Sequence, residues 1–253
     1  MSYRHDTAEL EERLRADFRA AVNEHRIFGS PFFRLAERLT RTDLRRLAHE
    51  QYYVAAHAPQ AYAAIIAMAP DRLVAGEPVP YWETVAPVFD LLTRSAWGNG
   101  EPGSNRGRFL RYAASLDIEE SALISNHRLM PETVTFVEAR TALCNEGGLL
   151  AAIGGIAALL VASEPYFEGL LAAARRVAHD DRLGVDPTYF EGHAQSDGKD
   201  AERLLDVVIP GMASHARSRS HEEERNDFFG GIETMLDARA EWLAALARMV
   251  ADD

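Results

Sequence analysis

In the stretch Asp186 to Val208, DPTYFEGHAQSDGKDAERLLDVV, ionisable side chains stand where a helix would normally keep its apolar seam. On a helix, Phe190, Asp197, Ala201, Leu204 and Val208 fall near one stripe, with His193 one turn before Asp197 and Asp200 about one turn after it. A carboxylate turned into a core must shift its pKa, find a cation or bind a metal. Two arrangements answer that demand. In one, His193 and Asp197 pair across a turn and Asp200 points to water. In the other, imidazole and carboxylates converge on a borderline metal, with iron or manganese favoured over zinc by the oxygen-rich set.

The chain must supply elements that hold such a cluster, and its composition allows them. At 253 residues, 47% of them hydrophobic, it can build a well-packed core. A formal charge of -12 argues against nucleic-acid and anionic-membrane partners, because an acidic body is repelled by both. Cys144 is the single cysteine, which excludes an internal disulfide and a thiolate-rich metal site and reads as a small buried hydrophobe. The start, MSYRHDTAELEERLRADF, is charged and lacks the apolar run of a secretory signal, so a cytoplasmic protein is expected. Gly147 to Ser163 is uncharged but shorter than a bilayer span, and reads as a buried helix.

Helical periodicity runs through most of the chain, with no alternation of period two. Thr7 to Asn23 reads as an amphipathic helix, and Gly29 to Pro31 as a turn before a short helix from Phe32 to Leu39. A helix opening at Thr42 is predicted to run to about Met68, kinked at Pro59. Further helices are expected from Tyr81 to Trp97, from Arg106 to Leu116 after the GNGEPGSN loop, and from Pro131. Pro165 should end or kink the apolar helix, which resumes from Phe167 to Ala178. Gly184 to Pro187 then turns the chain, Pro210 interrupts the helix carrying His193, and the last helix spans about Phe228 to Val250. Short linkers and the absence of repeats give one all-α domain over residues 1–253.

The motifs SPFFRLAERLTRTDLRRLAHEQYY, NRGRFLRYAASLDI and ASEPYFEGLL, followed by the HxxxD helix, resemble the haem-oxygenase-like fold. Within it they are most similar to the branch holding thiaminase II, pyrroloquinoline quinone synthase and the di-iron oxidases of natural-product pathways. The resemblance implies an up-and-down helical bundle, a homodimer and a central pocket. Carried over from the di-iron branch, the ligand from the EP helix falls on Glu164, the first late histidine on His193 and the aspartate on Asp197, while the second late histidine is replaced by Asp200. The middle-helix glutamate falls near Ala96 and its histidine near Asn105 or Arg106, so that pair of ligands is missing.

Glu50 and His57 are the candidates to fill that gap, as both lie on one helix two turns apart and can reach a common cavity. The resemblance places this helix on the substrate side of the pocket, where His57, Gln51 or Tyr53 would contact substrate. The plainer alternative is a solvated Glu50 and a hydrogen-bonded core His57. His49, His127, His179 and His215 read as surface residues, Glu138 and Glu146 as salt-bridging or capping groups, and Tyr52, Tyr53, Tyr62, Trp82 and Trp97 as core aromatics.

Three functions follow. In the first, Glu164, His193, Asp197 and Asp200 hold one or two irons, O2 is the co-substrate, and a small amino-acid-derived or carboxylate metabolite is oxidised. In the second, His57, Glu50, His193 and Asp197 carry out metal-free acid–base catalysis of the pyrroloquinoline quinone synthase or thiaminase II type. In the third, the chain binds a ligand or partner without turnover.

Overall fold

The computed structural model describes residues 2–74, 86–90, 93, 104–125, 129–180, 184–214 and 221–251, and no strand occurs among them. Helix α1 (Ser2–Asn23) is followed by a short 3-10 turn (Arg26–Gly29), α2 (Pro31–Ala36), α3 (Arg41–Ala56) and α4 (Ala58–Val74). Then come α5 (Asn105–Ser115), α6 (Glu120–Ser125), α7 (Pro131–Glu146), α8 (Leu149–Asp180), α9 (Thr188–Ser214) and α10 (His221–Ala251).

Local chemistry sets several of these boundaries. Ser30 caps α2 through Phe32 N–H, with Pro31 in the first turn where its missing donor costs nothing. Thr40 and Asp43 form a reciprocal capping box at the start of α3. Gly148, at φ 80°, makes the turn between α7 and α8 in the left-handed region that favours glycine.

The bundle is built around α8, which packs mainly against α9 and α10. Its 32 residues run straight through Pro165. Pro165 removes one backbone donor, a loss of about 3 kcal/mol. Buried Ile156, Leu159 and Leu160 before it and Tyr166, Phe167 and Leu170 after it anchor both halves in the same core, which offsets that loss. The apolar helix therefore does not end at Ser163, and Gly147 lies outside it. Its length and composition would suffice to cross a bilayer, but 78% of its apolar window is buried inside the bundle. The helix is interior for that reason, and not because it is short.

On one side α8 meets α10 at backbone distance. A Cβ added at Gly154 would lie 2.6 Å from the Phe228 carbonyl oxygen, and one at Gly155 would lie 2.9 Å from that of Gly231. Two further expectations need correction. The helix predicted from Thr42 to Met68 is two helices, α3 capped at His57 and α4 carrying Pro59 in its first turn. Pro210 lies within α9 and does not interrupt it, because Val208, Ile209, Met212 and Ala213 remain buried on both sides.

Candidate functional site

The α8–α9 side of the bundle encloses a cavity of about 510 Å³, within the size range of small-molecule sites. Gln51, Val54, Ala55, Ala58 and Tyr62 come from α3 and α4, Asn105 and Arg108 from α5, Phe136 and Arg140 from α7, and Ser163 and Phe167 from α8. Helix α9 gives Tyr189, Gly192, His193, Ser196, Asp197 and Asp200, and α10 gives Arg239.

His193 and Asp197 face each other one turn apart, with Nδ1 3.0 Å from Oδ1 and 3.3 Å from Oδ2. A carboxylate can only accept, so Nδ1 carries a proton, and in the neutral form of the ring Nε2 is the acceptor. Phe167 stacks on the imidazole at 4.3 Å and 15°, and Tyr189 meets it at 4.8 Å, which fixes the ring plane. Asp197 is buried. Beneath the pair lies a buried relay in which the Tyr166 hydroxyl donates to Gln51 Oε1 at 2.8 Å and Gln51 Nε2 donates to the Tyr189 hydroxyl at 3.2 Å. Burial pushes both tyrosine hydroxyls well above their ordinary range, so they stay protonated and act as hydrogen-bonding groups.

Of the remaining expected site residues, only Asp200 shares the cavity wall. Asp200 lines the cavity and is buried, not pointed to water, and it lies 3.6 Å from the Arg203 guanidinium. Glu164 is absent from the cavity wall, and its carboxylate fills the space over Gly198 on α9. Glu50 is buried and accepts the Met130 backbone N–H at 3.3 Å, capping α7, so it neither lines the cavity nor sits in solvent. His57 closes α3, with Nδ1 on the Tyr53 carbonyl at 2.8 Å and its ring against Tyr53 at 4.2 Å, and it too is absent from the wall.

Where the resemblance puts the middle-helix ligands, Asn105 lines the cavity, Arg106 is paired with Glu120, and Ala96 lies outside the described residues. Trp82, Trp97, His127 and His215 also lie outside them. Glu138, Glu146 and His179 are exposed. Tyr62 is buried, and Tyr52 and Tyr53 pack against the core as expected of core aromatics. Cys144 is a buried thiol, pushed up to about 11 by desolvation.

The residues do not fit an iron of the di-iron pattern. Among the described residues no three histidine, cysteine, aspartate or glutamate side chains come together as a metal site. The imidazole nitrogen and the carboxylate that would share an ion are turned onto each other, and Glu164 rests on a glycine of the facing helix. A guanidinium further opposes a cation, since Arg239 lines the same cavity and feels the Asp197 charge.

Sequence reasoning missed the arginines. Arg140 and Arg239 are only 4% and 3% exposed. A signal was present, because each stands on the apolar stripe of its helix. Arg140 has Phe136, Val137, Leu143 and Cys144 one turn to either side, and Arg239 has Met235, Leu236, Trp242 and Leu243.

No family model and no curated protein matches the sequence. Solved structures do. A CADD-like protein of unknown function from Nostoc punctiforme PCC 73102 is 16% identical, with a TM-score of 0.63 over 99% of both chains. A TenA homologue from Pseudomonas syringae pv. tomato DC3000 is 12% identical, with a TM-score of 0.63 over 94% of this chain and 93% of the other. A domain of unknown function with a haem-oxygenase-like fold from Shewanella denitrificans OS217 is 17% identical, with a TM-score of 0.60 over 96% of this chain and 93% of the other. At such identities the likeness is one of fold, and the chain has the haem-oxygenase-like fold.

Proposed function

We propose that this chain is an enzyme that performs metal-free acid–base chemistry on a small molecule held in the central cavity. The observation that carries this is the His193–Asp197 hydrogen bond of 3.0 Å in the cavity wall. Asp197 holds the proton-bearing Nδ1, so Nε2 is left to take a proton from a C–H, N–H or O–H group of the substrate. The imidazolium formed lies beside the Asp197 carboxylate, which stabilises it, and the same nitrogen returns the proton in a later step. Phe167 and Tyr189 hold the ring, and Gln51, tied to Tyr166 and Tyr189, offers a neutral polar group to the bound molecule. The sequence motifs similar to the thiaminase II and pyrroloquinoline quinone synthase branch support this class of chemistry.

Iron-dependent oxidation with O2 needs Glu164, His193, Asp197 and Asp200 on a common ion, and their placement disfavours it. One experiment separates these functions from binding without turnover. Protein expressed with iron supplied and purified anaerobically is analysed for metal, then incubated with a small-molecule extract in the presence of a chelator. The expected result is substoichiometric iron and consumption of a metabolite that slows by about 10² to 10⁴ in His193→Gln. Stoichiometric iron that disappears in Asp197→Ala would overturn the proposal, as would a metabolite consumed equally fast by His193→Gln.

A further inference from the structure

Arg140 and Arg239 stand on different helices, α7 and α10, yet both guanidinium groups lie over the Phe136 ring, at 5.8 and 5.2 Å. Both line the cavity. Neither has a carboxylate partner among the described residues, and the Nε of each is buried without any acceptor. Arg140 gives a single hydrogen bond, from Nη2 to the Val54 carbonyl at 2.8 Å. Arg239 has no hydrogen-bond acceptor for its Nε among the described residues, and rests on the faces of Trp242 at 4.1 Å and Tyr166 at 4.6 Å.

Two cations that converge in a protein interior repel each other and have each lost their water. Aromatic faces return only part of that cost. Burial pushes the Arg239 guanidinium down to about 10, with Arg140 adding to the effect, and burial lowers Arg140 as well. Because a guanidinium keeps its proton in proteins, the imbalance persists until an anion arrives. Arg108, also in the wall, lies over Gly192 and brings a third positive group to the cavity.

We propose that Arg140 and Arg239 form a built anion subsite, and that the cavity takes a small molecule with a carboxylate seated between these two guanidiniums and an apolar body against Phe136, Leu159, Leu160 and Phe167. This deepens the acid–base proposal by naming the substrate class, and it rests on the same cavity being the substrate site. The planar fork of arginine matches the two oxygens of a carboxylate. Asp197 and Asp200 stand in the same wall, and Arg239 feels the Asp197 charge, so the cavity carries both signs.

The test is binding without turnover. Benzoate, 4-phenylbutyrate and octanoate, each beside its primary amide, are titrated into the full chain by calorimetry and thermal shift at constant ionic strength, with inorganic phosphate as a separate arm. An acid that binds at least tenfold tighter than its amide and raises Tm is the expected result. Arg239→Met should abolish that preference while remaining folded when unliganded, as its own melting curve reports. Equal binding of acid and amide, or a preference that survives in Arg239→Met, overturns the subsite. Phosphate binding without carboxylate binding overturns the carboxylate assignment. The comparison of acid and amide on the wild type needs no variant to fold. His193→Gln should keep the preference for the acid, so failure of the subsite and failure of the proton-transfer proposal give different results.

Discussion

Helix α8 packs on both α10 and α9, but the two contacts differ in kind. The α10 side is a dry seam in which Gly154 and Gly155 let the backbone of α10 come within contact distance of α8, around Phe228 and Gly231. Beside the α9 contact lies a cavity of about 510 Å³, lined by His193, Asp197 and Asp200 of α9 and by the buried Arg140 and Arg239 of α7 and α10. The difference teaches where the stability comes from. A seam that fixes the helix axes can support buried charges across the helix that have no packing justification of their own.

The largest test of this contrast is to force the seam apart. In Gly231→Val the added side chain meets the Ala151 backbone, which cannot yield. Urea denaturation should show a loss of about 3 kcal/mol or more, if the protein folds at all. A loss under about 1 kcal/mol would mean that the seam is soft and the contrast is false.

A second test uses pH and addresses the polar side. Cys144 is held protonated up to about 11 by burial, and the hydroxyls of Tyr112, Tyr166 and Tyr189 are also raised by burial. In the unfolded chain these groups ionise near their ordinary values of about 8.5 for cysteine and 10 for tyrosine. Between those values and the raised ones the folded state binds more protons than the unfolded state, so stability falls as pH rises. The slope is about 1.4 kcal/mol per pH unit for each group that has ionised only in the unfolded chain. Chemical denaturation from pH 8 to 10.5 should show this decline. Cys144→Ala should flatten its earliest part, and an unchanged profile in that variant would refute the assignment.

The smallest effect concerns Glu50. As a cap on α7 it should cost about 1 kcal/mol when changed to Ala. Ligand binding in the cavity should be unaltered in the same variant, whereas a loss of binding at unchanged stability would return Glu50 to the substrate site.

How much of this was legible in the sequence can be judged residue by residue. The all-α fold and the shared face of His193, Asp197 and Asp200 were visible, because a period of 3.6 fixes which side chains lie above one another. The His193–Asp197 pairing across one turn was one of the two arrangements legible there, since both groups stand on α9. The placement of Glu164 over Gly198 was not legible, because it depends on how α8 and α9 approach. Pro210 misled, since it sits inside a long helix whose apolar residues are buried on both sides of it, and Pro165 does not end α8 for the same reason. Arg140 and Arg239 were passed over, although the apolar neighbours of each one turn away marked them as facing the core.

Arg140 has one more consequence. The carbonyl it braces, that of Val54, belongs to the last turn of α3, where backbone acceptors have no partner within the helix, and the chain bends at His57 immediately afterwards. One guanidinium thus both faces the cavity and holds the elbow between α3 and α4. Hydrogen–deuterium exchange of the amides around the elbow, measured with and without benzoate, is expected to change if a carboxylate in the cavity engages this same guanidinium.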